Sequence, residues 1–372
     1  MPVGFHGAIL PKRRYRFTGS PSPCRRFIEM AADRILVTGS SGFIGGWLVE
    51  ELKRSGREVV GLDKVPPPLS LGLDDFIACD ICDRAALLDA VQWARPHAIV
   101  HLAARTDLDE TRHLQGYATN IDGVRNVVDA VHQTKSIRRA IYTSSQLVCR
   151  VGYVPKNDVD YCANTLYGQS KVLTETIVRE TDGGGVAWCL ARPTTVWGPR
   201  MSPHYQSLLM YITNGKYFHC GSAELFKSYI YAGNIAYQYR RLLEAAAPTL
   251  NRQTFYLSDY IPLSLRAYTN GLARELGAKP VPTLPLALAK ALAVAGDTLN
   301  ACGLKSFPFN SFRLNNILTE YIFDLSRTQA VCGPLPFSQE QGIVATARWF
   351  LASRSALPDA TAAAPVSKDF QT

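Results

Sequence analysis

The chain has 372 residues and a formal net charge of +9, and 47% of its residues are hydrophobic while 19% are charged. These proportions exclude fibrous, low-complexity and largely disordered chains, and the length predicts either one large domain or two unequal ones. No stretch reaches the roughly 18 unbroken apolar residues of a membrane-spanning helix, so no membrane span is predicted.

Basic side chains are concentrated at the start of the sequence, where residues 1–29 contain six lysines and arginines and one acid, Glu29. Residues 1–32 show neither a helix or strand period nor the apolar run of a secretory signal. They are predicted to be a disordered basic tail, or a mis-annotated start with Met30 as the true first residue. An Arg-rich organellar transit peptide is the alternative. Nucleic-acid binding is not predicted, because no aromatic platform accompanies the charge.

Short β-branched runs alternate with longer helical segments between residues 33 and 200. This alternation predicts a Rossmann-type α/β domain, in which helices cover both faces of a doubly wound parallel sheet. The predicted strands are 35–38, 58–62, 98–101, 140–143 and 186–191, and the predicted helices are 43–55, 84–94, 116–133 and 166–180.

Beyond residue 200 the alternation gives way to aromatic segments separated by prolines, such as 229–231 and 254–257. Residues 201–352 are predicted to form a smaller α+β substrate-binding lobe, with some later segments returning to the first domain. Residues 353–372 are predicted to form a flexible tail. A ligand is expected between lobe and sheet, at the carboxyl ends of the strands.

A glycine-rich turn, Gly39-Ser40-Ser41-Gly42-Phe43-Ile44-Gly45, joins the first predicted strand to the first helix. Gly39 permits the tight turn, Gly42 lets the backbone approach a pyrophosphate, and Gly45 allows the helix to pack closely on the strand. The positive end of the helix then faces the phosphates. The sequence therefore predicts a dinucleotide site that includes these three glycines with Phe43 and Ile44.

Asp63 ends the second predicted strand, about 20 residues beyond the glycines, where a carboxylate can accept both ribose hydroxyls. An acid at this position repels a 2′-phosphate. The predicted cofactor is therefore NAD rather than NADP.

Tyr167 and Lys171 are spaced i, i+4, so they share one face of the predicted helix. An ammonium ion near a phenol favours the phenolate, which lets Tyr167 serve as a base near neutral pH. Ser145 follows the predicted strand 140–143 and can hold the substrate oxygen against Tyr167. These three residues are the predicted catalytic set.

Nine cysteines are spread through the chain, and their odd number is typical of free thiols in a reducing compartment, so a cytoplasmic location is expected. Cys79 and Cys82 form a C-x-x-C without a second pair, which indicates chance spacing. No metal site is predicted, because the histidines form no ligand-spaced cluster.

With the motifs in this order, the segment from Arg34 to Leu351 resembles the extended short-chain dehydrogenases/reductases, in the NAD-dependent epimerase/dehydratase family. The resemblance implies further cofactor residues: Asp80 and Ile81 at the adenine, Leu102, Ala103 and Ala104 after His101, Asn120, which also shapes the active-site helix, and Pro193 in the segment that leads to the substrate lobe. It also implies a homodimer formed through helices 116–133 and 166–180.

Departures from the family pattern narrow the implied reaction. Gln146 and Leu147 follow Ser145 where sugar dehydratases usually carry an Asp-Glu pair, so dehydration is disfavoured. Thr195 stands where many nucleotide-sugar epimerases have Asn, and Lys227 stands where they have Arg, although a lysine can still meet a phosphate. The resemblance thus implies oxidation of a hydroxyl of a sugar, with a nucleoside diphosphate sugar as the expected substrate and Ser145, Thr195 and Lys227 as substrate residues. Return of the hydride to the other face of the ketone would make the enzyme an epimerase, and release of the ketone would make it a dehydrogenase.

Two alternatives stay open. The predicted helix 284–300 and strand 321–324 also resemble 3β-hydroxysteroid dehydrogenase-like relatives, which would favour an apolar alcohol. A non-catalytic dinucleotide-binding sensor is the second alternative, and the presence of Ser145, Tyr167 and Lys171 together argues against it.

Overall fold

The computed structural model describes residues 33–302 and 309–355. The predicted tail at residues 1–32 lies outside the described residues, as do residues 356–372 of the predicted C-terminal tail.

Seven strands form one large sheet in the order β11-β6-β5-β4-β1-β2-β3, and every neighbouring pair is parallel. The strands of the described residues are β1 (Arg34–Thr38), β2 (Glu58–Asp63), β3 (Asp75–Ala78), β4 (Ala98–His101), β5 (Arg139–Thr143), β6 (Ala187–Pro193), β7 (Thr195–Trp197), β8 (His219–Cys220), β9 (Phe226–Lys227), β10 (Tyr229–Tyr231), β11 (Gln253–Leu257), β12 (Leu263–Ser264) and β13 (Thr283–Leu284).

The helices of the described residues are α1 (Phe43–Arg54), α2 (Arg84–Ala94), α3 (Ala118–Gln133), α4 (Leu166–Glu180), α5 (Pro203–Thr213), α6 (Ala232–Glu244), α7 (Ala247–Leu250), α8 (Leu265–Glu275), α9 (Leu286–Ala301), α10 (Ser311–Leu318), α11 (Ser326–Cys332) and α12 (Gln339–Ser355). Residues 353–355 of the predicted flexible tail therefore end α12.

The large sheet is covered on both faces because successive side chains of a strand point to opposite sides. In β1, Ile35 and Val37 lie in one hydrophobic core with α1 and α6, while Leu36 lies in another with α2, α3 and α4. Buried β-branched and leucine side chains fill both cores, as in other parallel sheets enclosed by helices. The arrangement confirms the predicted Rossmann-type α/β fold.

Residues beyond 200 add a third core, which Trp197, Tyr231 and Tyr268 share with aliphatic side chains of α5, α8 and α12. Residues 254–257 form a later segment that joins the large sheet, where β11 pairs with β6. One feature of this part of the chain differs from the sequence prediction: the predicted strand 321–324 is reduced to a single bridge between Tyr321 and Lys227.

The edge strand β3 was missed, since it reads Asp-Phe-Ile-Ala and most of its side chains are only partly buried. A short edge strand with one covered side lacks the continuous apolar run that marks its neighbours.

Within the described ranges, no helix is long and apolar enough to cross a membrane, and no group of three or more His, Cys, Asp or Glu side chains is arranged to hold a metal ion. The cysteines in these ranges are free thiols, Cys79 buried and Cys82 exposed.

The packing of α1 against the turn after β1 depends on one glycine. A Cβ atom at Gly45 would overlap the carbonyl oxygen of Gly39, which is backbone and cannot rotate away. A Cβ atom at Gly46, the next residue, would lie 3.7 Å from the nearest atom of Leu71, an ordinary van der Waals contact.

Gly45→Ala should therefore lower the free energy of unfolding by about 1–3 kcal/mol, the usual cost of forcing extra atoms into a packed site. Gly46→Ala is the matched control and should leave stability unchanged or raise it by up to about 1 kcal/mol, because alanine is the better helix former. Urea denaturation of both variants measures the difference, and equal stabilities would contradict the close contact.

Candidate active site

The glycine turn forms an open cradle at the end of β1. Gly39 has a positive φ of 73°, and its amide donates to Leu62 O at 2.8 Å. A side chain here would meet the backbone of Ala103, since an added Cβ would lie 2.6 Å from its nitrogen. The following helix α1 begins without a side-chain cap at Gly42 and without an acid in its first turn. Its free amides and its dipole suit a phosphate, so the predicted residues Gly39 to Gly45 fit a dinucleotide.

Asp63 is held at the end of β2 by the glycine turn itself. The amide of Ser41 donates to Oδ2 of Asp63 at 3.1 Å, and the amide of Val65 donates to Oδ1 at 3.1 Å. Each carboxylate oxygen keeps a second lone pair for a ribose hydroxyl. The sequence did not identify Ser41 as a positioning residue, because nothing in the spacing shows which amide meets the carboxylate.

Thr38 links the cradle to the segment after β4. Its hydroxyl lies 2.8 Å from Nδ1 of His101 and accepts the amides of Leu102 and Ala103 at 3.2 and 3.3 Å. The predicted residues Leu102 to Ala104 therefore lie beside the glycine turn. Thr38 was missed, since a strand-end threonine carries no distinctive pattern.

The predicted adenine residues lie at the end of the neighbouring strand β3. Oδ1 of Asp80 accepts the amide of Cys82 at 2.9 Å. The side chain of Ile81 packs in the core against Gly123, and its carbonyl oxygen accepts from Asn126 Nδ2 at 2.9 Å. The adenine contact stays a prediction.

Asn120 in α3 clamps two segments together. Its side-chain oxygen accepts the amide of Arg105 at 2.8 Å, and its amide nitrogen donates to Arg105 O and to Ser170 Oγ, both at 2.9 Å. Both amide hydrogens are thus used to join the segment after β4 to α4. The side chain serves the shape of the site, and direct contact with the cofactor stays a prediction.

Helix α4 presents Tyr167 and Lys171 to the end of the sheet. Thr165 caps the helix by accepting the amide of Gly168 at 3.0 Å, which sets its start at Leu166. Tyr167 is 8% exposed and lies close enough to Ser145 for that hydroxyl to lower its pKa, while Lys171 is 3% exposed and donates to Thr143 O at 3.0 Å. The structure therefore brings the three predicted catalytic residues together.

Burial has the largest effect on the pKa values of Tyr167 and Lys171. It raises the pKa of Tyr167 to about 12, and the nearby hydroxyl of Ser145 lowers this pKa only in part. It also lowers the pKa of Lys171 to about 8, against the opposing charge of Glu175. The expected acidification of Tyr167 by its lysine neighbour is thus wrong for the chain by itself, because removal from water disfavours the phenolate more strongly.

His101 joins the cofactor cradle to the catalytic set. Burial and the charge of Lys171 lower the pKa of His101 to about 3, so the ring is neutral at ordinary pH. The neutral ring meets Thr38 on the side of the cradle. Cradle and catalytic residues are therefore neighbours at one end of the sheet.

Glu175, one turn beyond Lys171, is fully buried and was not identified from the sequence. Arg192 at the end of β6 donates to both of its carboxylate oxygens at 2.7 Å, and Ser144 donates to Oε1 at 2.6 Å. Tyr161 adds a hydrogen bond at 2.9 Å. The ion pair with Glu175 raises the pKa of Arg192 despite its burial. One carboxylate thus joins α4, the end of β5 and the end of β6.

The predicted substrate residue Thr195 lies beyond the end of β6. Pro193, a predicted cofactor residue, ends this strand beside Leu257. Thr195 Oγ1 lies 3.3 Å from the hydroxyl of Tyr321 and accepts from Gln146 Nε2 at 3.4 Å. Tyr321 and Gln146 were not predicted as substrate residues, since only the fold brings residues so distant in sequence to Thr195.

Lys227 is buried and its ammonium caps the end of α10. It donates to Asn316 O and Thr319 O, both at 2.7 Å, and lies 4.9 Å from the centre of the Tyr321 ring. Burial lowers its pKa to about 8. Two of its three hydrogens are thus used within the chain, which leaves the predicted phosphate contact as a prediction.

Known proteins resemble this chain along most of its length. A 3-beta-hydroxysteroid dehydrogenase of Mycolicibacterium neoaurum is 27% identical over 66% of this chain and 71% of its own. The N-acetyl-alpha-D-glucosaminyl-diphospho-ditrans,octacis-undecaprenol 4-epimerase of Escherichia coli O157:H7 is 25% identical over 85% of this chain and 95% of its own. The structure of the UDP-glucose 4-epimerase of Thermus thermophilus in complex with NAD superposes with a TM-score of 0.63 at 19% identity, covering 87% of this chain and all of that one.

The family model of the NAD dependent epimerase/dehydratase family matches residues 35–255, which include the glycine turn, Asp63 and the catalytic set. This match confirms the resemblance inferred from the motifs and NAD as the cofactor. The chain belongs to the NAD dependent epimerase/dehydratase family.

Proposed function

We propose that the protein is an NAD-dependent oxidoreductase/epimerase that acts on a hydroxyl of a sugar, with a nucleoside diphosphate sugar as the leading substrate. The observation that carries the proposal is the gathering of Ser145, Tyr167 and Lys171, all three buried, at the end of the sheet beside the glycine cradle. A scaffold without catalysis would not need these groups together in a buried site.

The residues that would hold NAD are the cradle from Gly39 to Gly45 for the diphosphate and Asp63 for the ribose. When bound in its oxidised form, NAD accepts a hydride and brings a positive charge. Removal of water from the site strengthens every charge interaction within it.

Tyr167 is the group that takes the proton of the substrate alcohol in the oxidation. Ser145 donates to or accepts from the same oxygen, which holds the alcohol against the phenol. Lys171 carries a positive charge below its pKa of about 8, and this charge stabilises the phenolate that forms during catalysis. The same three groups return the proton when a ketone is reduced.

The sugar substrate is supported by the relative from Escherichia coli, whose name gives a sugar joined through a diphosphate. An apolar alcohol is the second candidate, and one structural observation favours it: Lys227 already donates two of its three hydrogens to carbonyl groups at the end of α10, which weakens it as a partner for a phosphate. The relative from Mycolicibacterium neoaurum is named for steroids and supports the same candidate.

We further propose a homodimer that uses α3 and α4, and a cytoplasmic location, which the free cysteines suit. Light scattering that finds only a monomer would count against the first, and recovery of the protein outside the cytoplasm on cell fractionation would count against the second.

Replacing Tyr167 by Phe should lower kcat by about 100- to 10,000-fold, which is the usual contribution of a proton-transferring group to the rate. The Kd for NAD should stay within about twofold of the wild-type value. Turnover is followed by nicotinamide absorbance and NAD binding by calorimetry. Tyr260→Phe is the control, because the hydroxyl of Tyr260 donates to Gly333 O, away from the catalytic set. Full turnover in the Tyr167 variant would refute the assigned role.

The two substrate candidates should separate in one panel of nucleotide sugars and 3β-hydroxysteroids, tested with NAD at equal enzyme concentration. We expect nucleotide sugars to be turned over and to raise the melting temperature in the presence of NAD, because a ligand that binds only the native state stabilises it. Steroid turnover without any effect of nucleotide sugars would establish the second candidate instead.

A further inference from the structure

Gln146 carries a buried polar atom without a partner. The residue directly follows Ser145, is 9% exposed, and its side-chain oxygen Oε1 makes no hydrogen bond within the described residues. Burial of a polar atom in this way costs free energy, because the atom leaves water and no new hydrogen bond replaces the one it made there. A ligand that supplies a donor would remove this cost.

The oxygen Oε1 of Gln146 differs in its position from the other buried side-chain atoms that lack a hydrogen bond within the described ranges. The amide nitrogen of Gln146 reaches Thr195 Oγ1, which in turn lies next to the hydroxyl of Tyr321. Exchange of the oxygen and nitrogen of the amide would still leave one of the two without a partner. Gln146, which follows Ser145, thus contacts a second polar side chain and through it a third, while its own Oε1 has no partner within the described residues.

A hydroxyl group suits this position because it both donates and accepts. It can donate to Oε1 of Gln146 and accept from Thr195 or Tyr321.

We propose that Gln146, together with Thr195 and Tyr321, binds a second hydroxyl of the substrate, next to the alcohol that Ser145 and Tyr167 engage. The proposal rests on the function proposed above and narrows its substrate to a compound with neighbouring hydroxyls, such as a sugar ring. Gln146 is a specificity-determining residue in this arrangement. A sterol with one isolated hydroxyl would leave Oε1 unpartnered.

The test compares Gln146→Met with the wild type on two kinds of substrate. One is UDP-glucose, or another nucleotide sugar that the wild type turns over, and the other is its set of deoxy analogues, each lacking one ring hydroxyl. We expect the variant to lose about tenfold in kcat/KM on the parent sugar, because a buried hydrogen bond is removed. On the analogue that lacks the neighbouring hydroxyl, variant and wild type should differ by less than about twofold.

Gln238→Met is the matched control. Gln238 is fully buried in α6, and its side-chain oxygen is also unpartnered within the described residues, while its nitrogen donates to Ser258 O. This variant should keep the kcat/KM of the wild type on every substrate. Circular dichroism and the Kd for NAD establish that each variant is folded, and Gln146→Ala replaces Gln146→Met if the latter does not fold.

The outcomes distinguish a failure of the inference about Gln146 from a failure of the proposed function. An equal loss on the parent and on all deoxy analogues would show a merely structural role for Gln146, and no loss on any would show that its oxygen binds only water; either result overturns the inference. Turnover of 3β-hydroxysteroids alone also overturns it while leaving the dehydrogenase chemistry in place. A wild type that turns over no alcohol contradicts the proposed function itself.

Discussion

The ion pair between Glu175 and Arg192 is the constraint on which the arrangement of the site depends. Both side chains are excluded from water, and the carboxylate accepts from Arg192, Ser144 and Tyr161. A buried charge is tolerated only when its hydrogen bonds are filled, so the geometry around Glu175 has few alternatives. Because Ser144 precedes Ser145, and Glu175 lies on the helix of Tyr167 and Lys171, the pair sets the relative position of all three catalytic groups.

The same end of the sheet brings cofactor and catalytic residues together. Thr38 and His101 lie side by side at the ends of β1 and β4, and the charge of Lys171 acts on His101. Burial favours the neutral forms of both Tyr167 and Lys171, so the free energy of charging each group depends strongly on what else occupies the site. Such sensitivity suits a proton carrier that must release its proton in one direction of a reaction and recover it in the other.

The residues around Thr195 include one feature that suits a sugar substrate and one that suits an apolar alcohol. Two of the three ammonium hydrogens of Lys227 are bound within the chain, which weakens the most obvious partner for a phosphate near Thr195. Gln146, Thr195 and Tyr321 nevertheless keep hydrogen-bonding groups beside Ser145. The unpartnered oxygen of Gln146 supports the proposed sugar substrate, and the bonds of Lys227 support the second candidate, an apolar alcohol.

The sequence by itself determined the features that depend on local spacing. The glycine turn, Asp63 at the end of β2, and the i, i+4 pair of Tyr167 and Lys171 lie where their motifs predicted them, since each depends on a strand or helix whose period is visible in the chain. The tertiary structure alone decided which residues meet across the sheet. It paired Glu175 with Arg192, brought Gln146 to Thr195 and Tyr321, added β11 to the large sheet and turned Lys227 toward α10. Burial in that structure also raises the pKa of Tyr167 in the chain by itself. The physical reason is that burial and long-range contacts depend on where distant segments pack, whereas periodicity and motif spacing record only what neighbours along the chain can do.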